Sequence, residues 1–238
     1  MISAQIRIRF SKRGKIRFTS HRDVARIWER ALRRAELPIA YTEGYSPRPK
    51  LSFGLALSTG YESNGEYLDV SLRQVPGDVE LHELPRRLAA ALPQGIEVQA
   101  VVALPAGSAS LQQAVTSCTW HIEVGAVLPA SVAPATAAAL AAPELVVTRQ
   151  RKGRNVTDDV RPAILEAELL GGTTIEAELA TQPRGLRPAE FLTAVDPTWR
   201  ASRVTRINQW TQVGGARREV IDLPPAATPP PHAEVRAS

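Results

Sequence analysis

Apolar residues recur along the chain with two periods. Val24, Ile27, Trp28, Ala31, Leu32 and Ala35 fall at helical spacing and form one stripe of a helix predicted over 21–36. Ser20 with Asp23 three residues on resembles a capping box at its start, and Pro38 stops it. A second helix is predicted over 79–92, where Leu81, Leu84, Leu88 and Leu92 share a side before Pro93 and Gly95. Elsewhere the period is two. Ile6, Ile8 and Phe10 alternate with polar residues and predict a strand over 4–10. Segments 51–57 and 66–72 predict two more, joined as a hairpin across Gly60–Gly65, whose Ser-Asn-Gly reads as a turn, and 96–104 predicts a fourth.

Strand, helix, two strands, helix, strand is the order of a ferredoxin-like sandwich, expected here over 1–105 with one sheet face free of helices. After a small-residue linker at 106–115 the order recurs over 116–213. A strand at 116–124 sets Cys118, Trp120 and Ile122 on one side and Thr119, His121 and Glu123 on the other. A small-residue helix (131–142), a strand (144–149) and a polar excursion (150–162) follow. A hairpin (163–170 and 173–180), a short helix (187–195) and a last strand (202–212) complete the half. The fold class expected is α+β, two tandem ferredoxin-like halves with antiparallel sheets. Residues 214–238, rich in Pro and Ala, are expected to form a disordered tail.

Charge changes this picture more than composition does. The 238 residues carry a net charge of +5, but residues 1–50 hold thirteen Lys/Arg against four Asp/Glu, a balance of +9, and the remainder is net acidic. Opposite signs in one chain predict a concentrated basic surface, suited to a polyanion or an acidic protein. Arg22, Arg26, Arg30, Arg33 and Arg34 all fall off the apolar stripe of the first helix. No run of eighteen apolar residues exists, so no membrane span is expected. The single cysteine, Cys118, excludes an internal disulfide and a cysteine-ligated iron–sulfur cluster within the chain, and it suits a reducing cytoplasm. His82, His121 and His232 have no zinc spacing, and no glycine-rich phosphate loop is present, so no cofactor or metal is expected.

The loop after the first helix is the densest in chemistry. Tyr41, Glu43, Gly44, Tyr45, Ser46, Pro47, Arg48, Pro49 and Lys50 combine two rings and two cations on backbone stiffened by prolines. Rings that stack on bases beside cations that meet phosphates are the usual means of holding single-stranded nucleic acid. A second basic cluster, Arg149, Arg151, Lys152, Arg154 and Arg161, lies in the polar excursion and would extend the first surface if the halves pack side by side. Glu43, Glu66 and Asp69 offer oxygens for a hard cation, but their spacing matches no metal loop, and salt bridging, with Arg48 and Lys50 as ready counter-ions, is expected.

Residues 20–72 resemble the bacterial radical-SAM-linked protein family, a domain of unknown function fused to, or encoded apart from, a cobalamin-binding radical-SAM module. The resemblance rests on Ser20, His21, Arg22 and Asp23 opening the helix, and Arg30, Ala31, Arg33, Arg34 and Ala35 closing it. It continues through Thr42, Glu43, Gly44, Tyr45, Pro47, Pro49 and Lys50, then Gly60, Ser63, Glu66, Tyr67 and Asp69. It implies a separate cobalamin-binding radical-SAM protein as a partner, since this chain lacks the module and its cysteines. Three functional expectations stand. The first is a non-catalytic protein that binds or presents RNA of the tRNA or rRNA class. The second is an interaction subunit of a radical-SAM enzyme without RNA contact. The third is a metal-independent endoribonuclease using His21, in which Tyr41 or Tyr45 and Lys50 would assist.

Overall fold

Alternation along the first strand decides which way the first half faces. β1 (Ala4–Lys12) turns Ile6, Ile8 and Phe10 toward two helices, where each is buried, and turns Arg7, Arg9 and Ser11 to the opposite face of the sheet. The computed structural model describes residues 4–74, 77–151 and 153–221. α1 (His21–Arg34) covers β1 with Val24, Trp28, Ala31 and Leu32, and the Trp28 ring lies 4.8 Å from that of Phe10. The expected cap is present: the Ser20 hydroxyl donates to the Asp23 carboxylate at 2.7 Å, and its oxygen accepts from the Asp23 amide at 3.2 Å.

β2 (Leu51–Phe53), β3 (Glu62–Leu72), α2 (Asp78–Ala89) and β4 (Ile96–Leu104) complete this half, with β1 antiparallel to both β3 and β4 and β2 on the far side of β3. Leu84 and Leu88 of α2 join Ile6, Ile8, Trp28 and Leu32 in one core. Burying side chains of this size is worth about 1.5–3 kcal/mol each.

The predicted turn at Ser63-Asn64-Gly65 is instead part of β3. There the pairing with β1 slips from Phe10↔Glu66 to Lys12↔Ser63, so the turn-forming residues make a bulge within a continuous strand. The Arg9 guanidinium lies over Gly65, where an added Cβ would sit 3.4 Å from a guanidinium nitrogen, an ordinary contact distance. The chain reverses earlier, across residues 54–61.

In the second half, β5 (Val115–Gly125), β8 (Ile164–Gly171), β9 (Thr174–Ala180) and β10 (Arg200–Val213) follow the order β10-β5-β9-β8, all antiparallel. α4 (Pro129–Ala141) and α5 (Pro188–Val195) supply Val132, Phe191 and Leu192 to a core shared with Cys118, Trp120 and Ile122. The expected strand at 144–149 does not enter this sheet. It is β6 (Val146–Arg151), and the polar excursion is its partner β7 (Arg154–Asp159), a two-stranded hairpin standing apart. Alternation in β7 leaves one apolar position, Val156, too little to bury a sheet face.

The halves join where β3 and β10 run parallel, Glu62 against Thr205 and Ser63 against Arg206. Among the described residues nine strands thereby share one sheet. The chain is an α+β protein whose sheet is mainly antiparallel, and no helix among the described residues is long and apolar enough to cross a membrane.

Two expectations fail at the back of the first half. The sheet face opposite α1 is covered: Arg7 and Arg9 reach Ala109 and Ile221 backbone oxygens, and Tyr67 packs with Leu111 of the short helix α3 (Leu111–Ala114). The chain beyond Gly214 also begins as structure, because β11 (Ala216–Glu219) pairs with β10 and Ile221 is buried. Glu219 accepts from Arg9 at 2.5 Å and from Asn208 at 2.7 Å, so two buried donors hold this segment down. The rest of the expected tail, 222–238, lies outside the described residues.

Candidate nucleic-acid interface

Five arginines share one flank of α1. At 3.6 residues per turn Arg22, Arg26, Arg30, Arg33 and Arg34 fall within an arc of about 120°, centred opposite the buried stripe. All five are exposed. Arg26 is engaged by Asp23 at 3.3 Å, and the other four have no carboxylate partner among the described residues.

The aromatic loop is built as a small closed ladder. Its root is fixed to β3, with the Ala40 amide donating to the Ser71 carbonyl at 2.8 Å and the Ser71 amide to the Lys50 carbonyl at 3.0 Å. Tyr41 then bridges Pro49, the Thr42 amide donates to the Arg48 carbonyl, and the Arg48 amide donates to the Thr42 hydroxyl. The bonds leave Glu43, Gly44, Tyr45, Ser46 and Pro47 as an exposed tip, with Gly44 at φ +122°. Tyr45 is wholly exposed, Tyr41 is 39% exposed, and Arg48 and Lys50 stand in solvent with no carboxylate partner among the described residues. Ile39, five residues past Arg34, is bridged to Leu72, which keeps the root of the loop near the last turn of α1.

At the other end of α1, His21 is exposed and packs edge-on against Phe53 of β2, ring centroids 5.1 Å apart. It forms a wall between two spaces. On its outer side an open cleft of about 340 Å³ is lined by His21, Leu51, Ser52, Phe53, Leu55 and Gln112. On its inner side lies a hollow of about 20 Å³, the size of one water, bounded by Lys12 and Glu66 among apolar side chains. Burial lowers the Lys12 ammonium from its ordinary value, and the nearby Glu66 charge offsets part of this.

The remaining expected residues are placed elsewhere. Glu66 and Asp69 do form salt bridges, but not to Arg48 or Lys50. Asp69 takes a bidentate pair from Arg7 at 2.7 and 2.8 Å, and Glu66 accepts from Arg206 at 2.9 Å. Glu43 is exposed at the loop tip, and Gly60, at φ +89°, donates to the Arg17 carbonyl in the turn leading into β3. Among the described residues no group of three His, Cys, Asp or Glu side chains is placed to hold a metal.

Arg154 and Arg161 of the second basic cluster have different surroundings. Arg161 turns inward to the Leu140 carbonyl at the end of α4, and Arg154 is exposed at the hairpin turn, where it pairs in register with Arg151. The hairpin packs on the second half through Val147. Lys152 lies outside the described residues.

Part of the basic excess is interior. Arg7, Arg9 and Lys12 are all buried. Arg7 pairs with Asp69, and Lys12 donates to the Arg17 and Thr19 carbonyls, within the first half. Arg9 with Glu219 belongs to an ionic layer that joins the halves, in which Glu62, 2% exposed in its side chain, takes Arg203 at 2.5 Å and also Arg17 at 3.2 Å. Burial pushes the Glu62 carboxyl up, but the hydrogen bonds from Arg203, the Gly14 amide and Arg17 outweigh this and hold it below its ordinary value. Arg206 also stacks over the Trp120 ring at 4.7 Å and donates to the Leu55 and Ala56 carbonyls. Spacing did not suggest Arg206, Glu62 or Glu219; for Arg206 the one available signal was a charged residue at an inward position of the strand predicted over 202–212, and Glu62 and Glu219 fell in a predicted turn and a predicted tail. Cys118 is buried as expected, its thiol pushed up to about 11 by burial.

Fold and surface together define an α+β protein with a basic flank and an exposed aromatic loop. Comparison with known families matches residues 5–188, and the chain belongs to the family described as an uncharacterized protein conserved in bacteria (DUF2344). No curated protein matches it. The match takes in α1, the aromatic loop and the His21 cleft, and it ends before β10, the strand that joins the halves.

Proposed function

We propose that this is a non-catalytic, RNA-binding or RNA-presenting protein of the cytoplasm, built as two ferredoxin-like halves. The strand orders β4-β1-β3-β2 and β10-β5-β9-β8 support the two-half reading. The observation that carries the function is the exposed set Arg22, Arg30, Arg33, Arg34, Arg48 and Lys50, none with a carboxylate partner among the described residues, together with the exposed ring of Tyr45 on the loop that follows α1. The cations would meet phosphates, and Tyr41 and Tyr45 would stack on bases.

Filter binding to tRNA and rRNA fragments across a salt series tests this. About five phosphate contacts on a single strand predict a loss of roughly 100-fold in affinity between 50 and 200 mM salt. Affinity indifferent to salt would remove the electrostatic contact, and RNA cleavage that disappears in His21→Ala would overturn the non-catalytic part. The resemblance to radical-SAM-linked proteins supports a companion reading, that RNA held here is offered to a separate cobalamin-binding radical-SAM enzyme. Co-purification from the native host, with and without ribonuclease, decides whether such a partner exists and whether RNA bridges it.

A further inference from the structure

We propose that the open cleft beside His21 is a pocket for a single unstacked nucleobase of the bound RNA; this rests on the RNA-binding reading and deepens it. The cleft's volume of about 340 Å³ lies at the small end of ligand sites, suited to one ring system and not to a folded chain. Its wall and floor are flat or apolar: the His21 ring held edge-on by Phe53, with Leu51 and Leu55 half-buried. Its polar groups stand at the rim, where exposed Ser52 and Gln112 present a hydroxyl and an amide that match the mixed donor and acceptor edge of a base. Phosphate partners are already at hand, since Arg22 adjoins His21 and Arg26 follows one turn later on the arginine flank. RNA recognition commonly splays a base out, stacks it on a ring and reads its edge with such groups.

A short RNA with one 2-aminopurine among uridines, titrated into the full chain, tests the pocket. Ala56 is an exposed lining residue, so Ala56→Trp fills the cleft without touching the core, and Gln112→Ala removes a rim amide by a second route. The wild-type chain should change the 2-aminopurine emission on binding. Ala56→Trp should abolish the change while affinity falls by about tenfold, the worth of one stacked base. Arg33→Glu should do the reverse, lowering affinity and leaving the emission change at saturation. An emission change that survives both Ala56→Trp and Gln112→Ala overturns the pocket while leaving the basic surface standing. If no RNA binds at any salt, the surface reading fails and the pocket is then judged on free adenosine monophosphate. Saturation transfer to the nucleotide that is lost in Ala56→Trp upholds the pocket, and none in the wild type overturns it.

Discussion

Arg206 and Glu62 concentrate the cost of holding the two halves together. Both are almost wholly buried, and each meets its opposite charge from the other half. Arg206→Met strands the Glu66 carboxylate in the interior and should cost about 3–5 kcal/mol by urea unfolding, whereas Arg206→Met with Glu66→Met should recover most of it. Glu62 makes stability depend on acid. A carboxyl held below its ordinary value of 4.5 binds fewer protons folded than unfolded. Its stabilisation is therefore complete above that value and is lost as pH falls through the lower folded value. Glu62→Gln should lower stability at neutral pH and flatten the fall in melting temperature below about pH 4.5. These pairings were not legible in the sequence, because Glu66 and Arg206 stand 140 residues apart and only the meeting of β3 with β10 unites them. The inward alternation of Ile6, Ile8 and Phe10 was legible, since a strand's period of two is a local property.

Elements with a strong local period emerged as expected, and those defined by long-range pairing did not. α1 follows its apolar stripe and its Ser20 cap, so Ser20→Ala should cost about 1 kcal/mol. The bulge in β3 was hidden because Ser-Asn-Gly suits a turn equally well, and it shows only in the register of β3 against β1, a strand distant in sequence. The aromatic loop was legible as composition but not as a ladder, whose bonds depend on the register of Ala40 and Lys50 with Ser71. Its tip is exposed, and Tyr45 wholly so, which separates function from stability there. Tyr45→Ala should leave the unfolding midpoint unchanged and weaken RNA binding by about fivefold to 100-fold.

For the molecule as a whole, the ionic layer and the β3–β10 pairing predict one cooperative unfolding transition, checked by coincident far-ultraviolet dichroism and tryptophan fluorescence in urea. Ending the chain after Val213 should lower the melting temperature, since Arg9 loses Glu219 and Ile221 as acceptors while it stays beneath them in the fold. The order of synthesis gives the seam a further meaning. On the ribosome, Glu62 and Glu66 leave the exit tunnel long before Arg203 and Arg206, so a nascent first half carries Glu62 with Arg17 alone and Glu66 with its arginine yet to be translated. Such an intermediate would have to wait hydrated or borrow positive charge from a chaperone or from the arginines of its own first helix, and the last long strand would act as the timer that releases them.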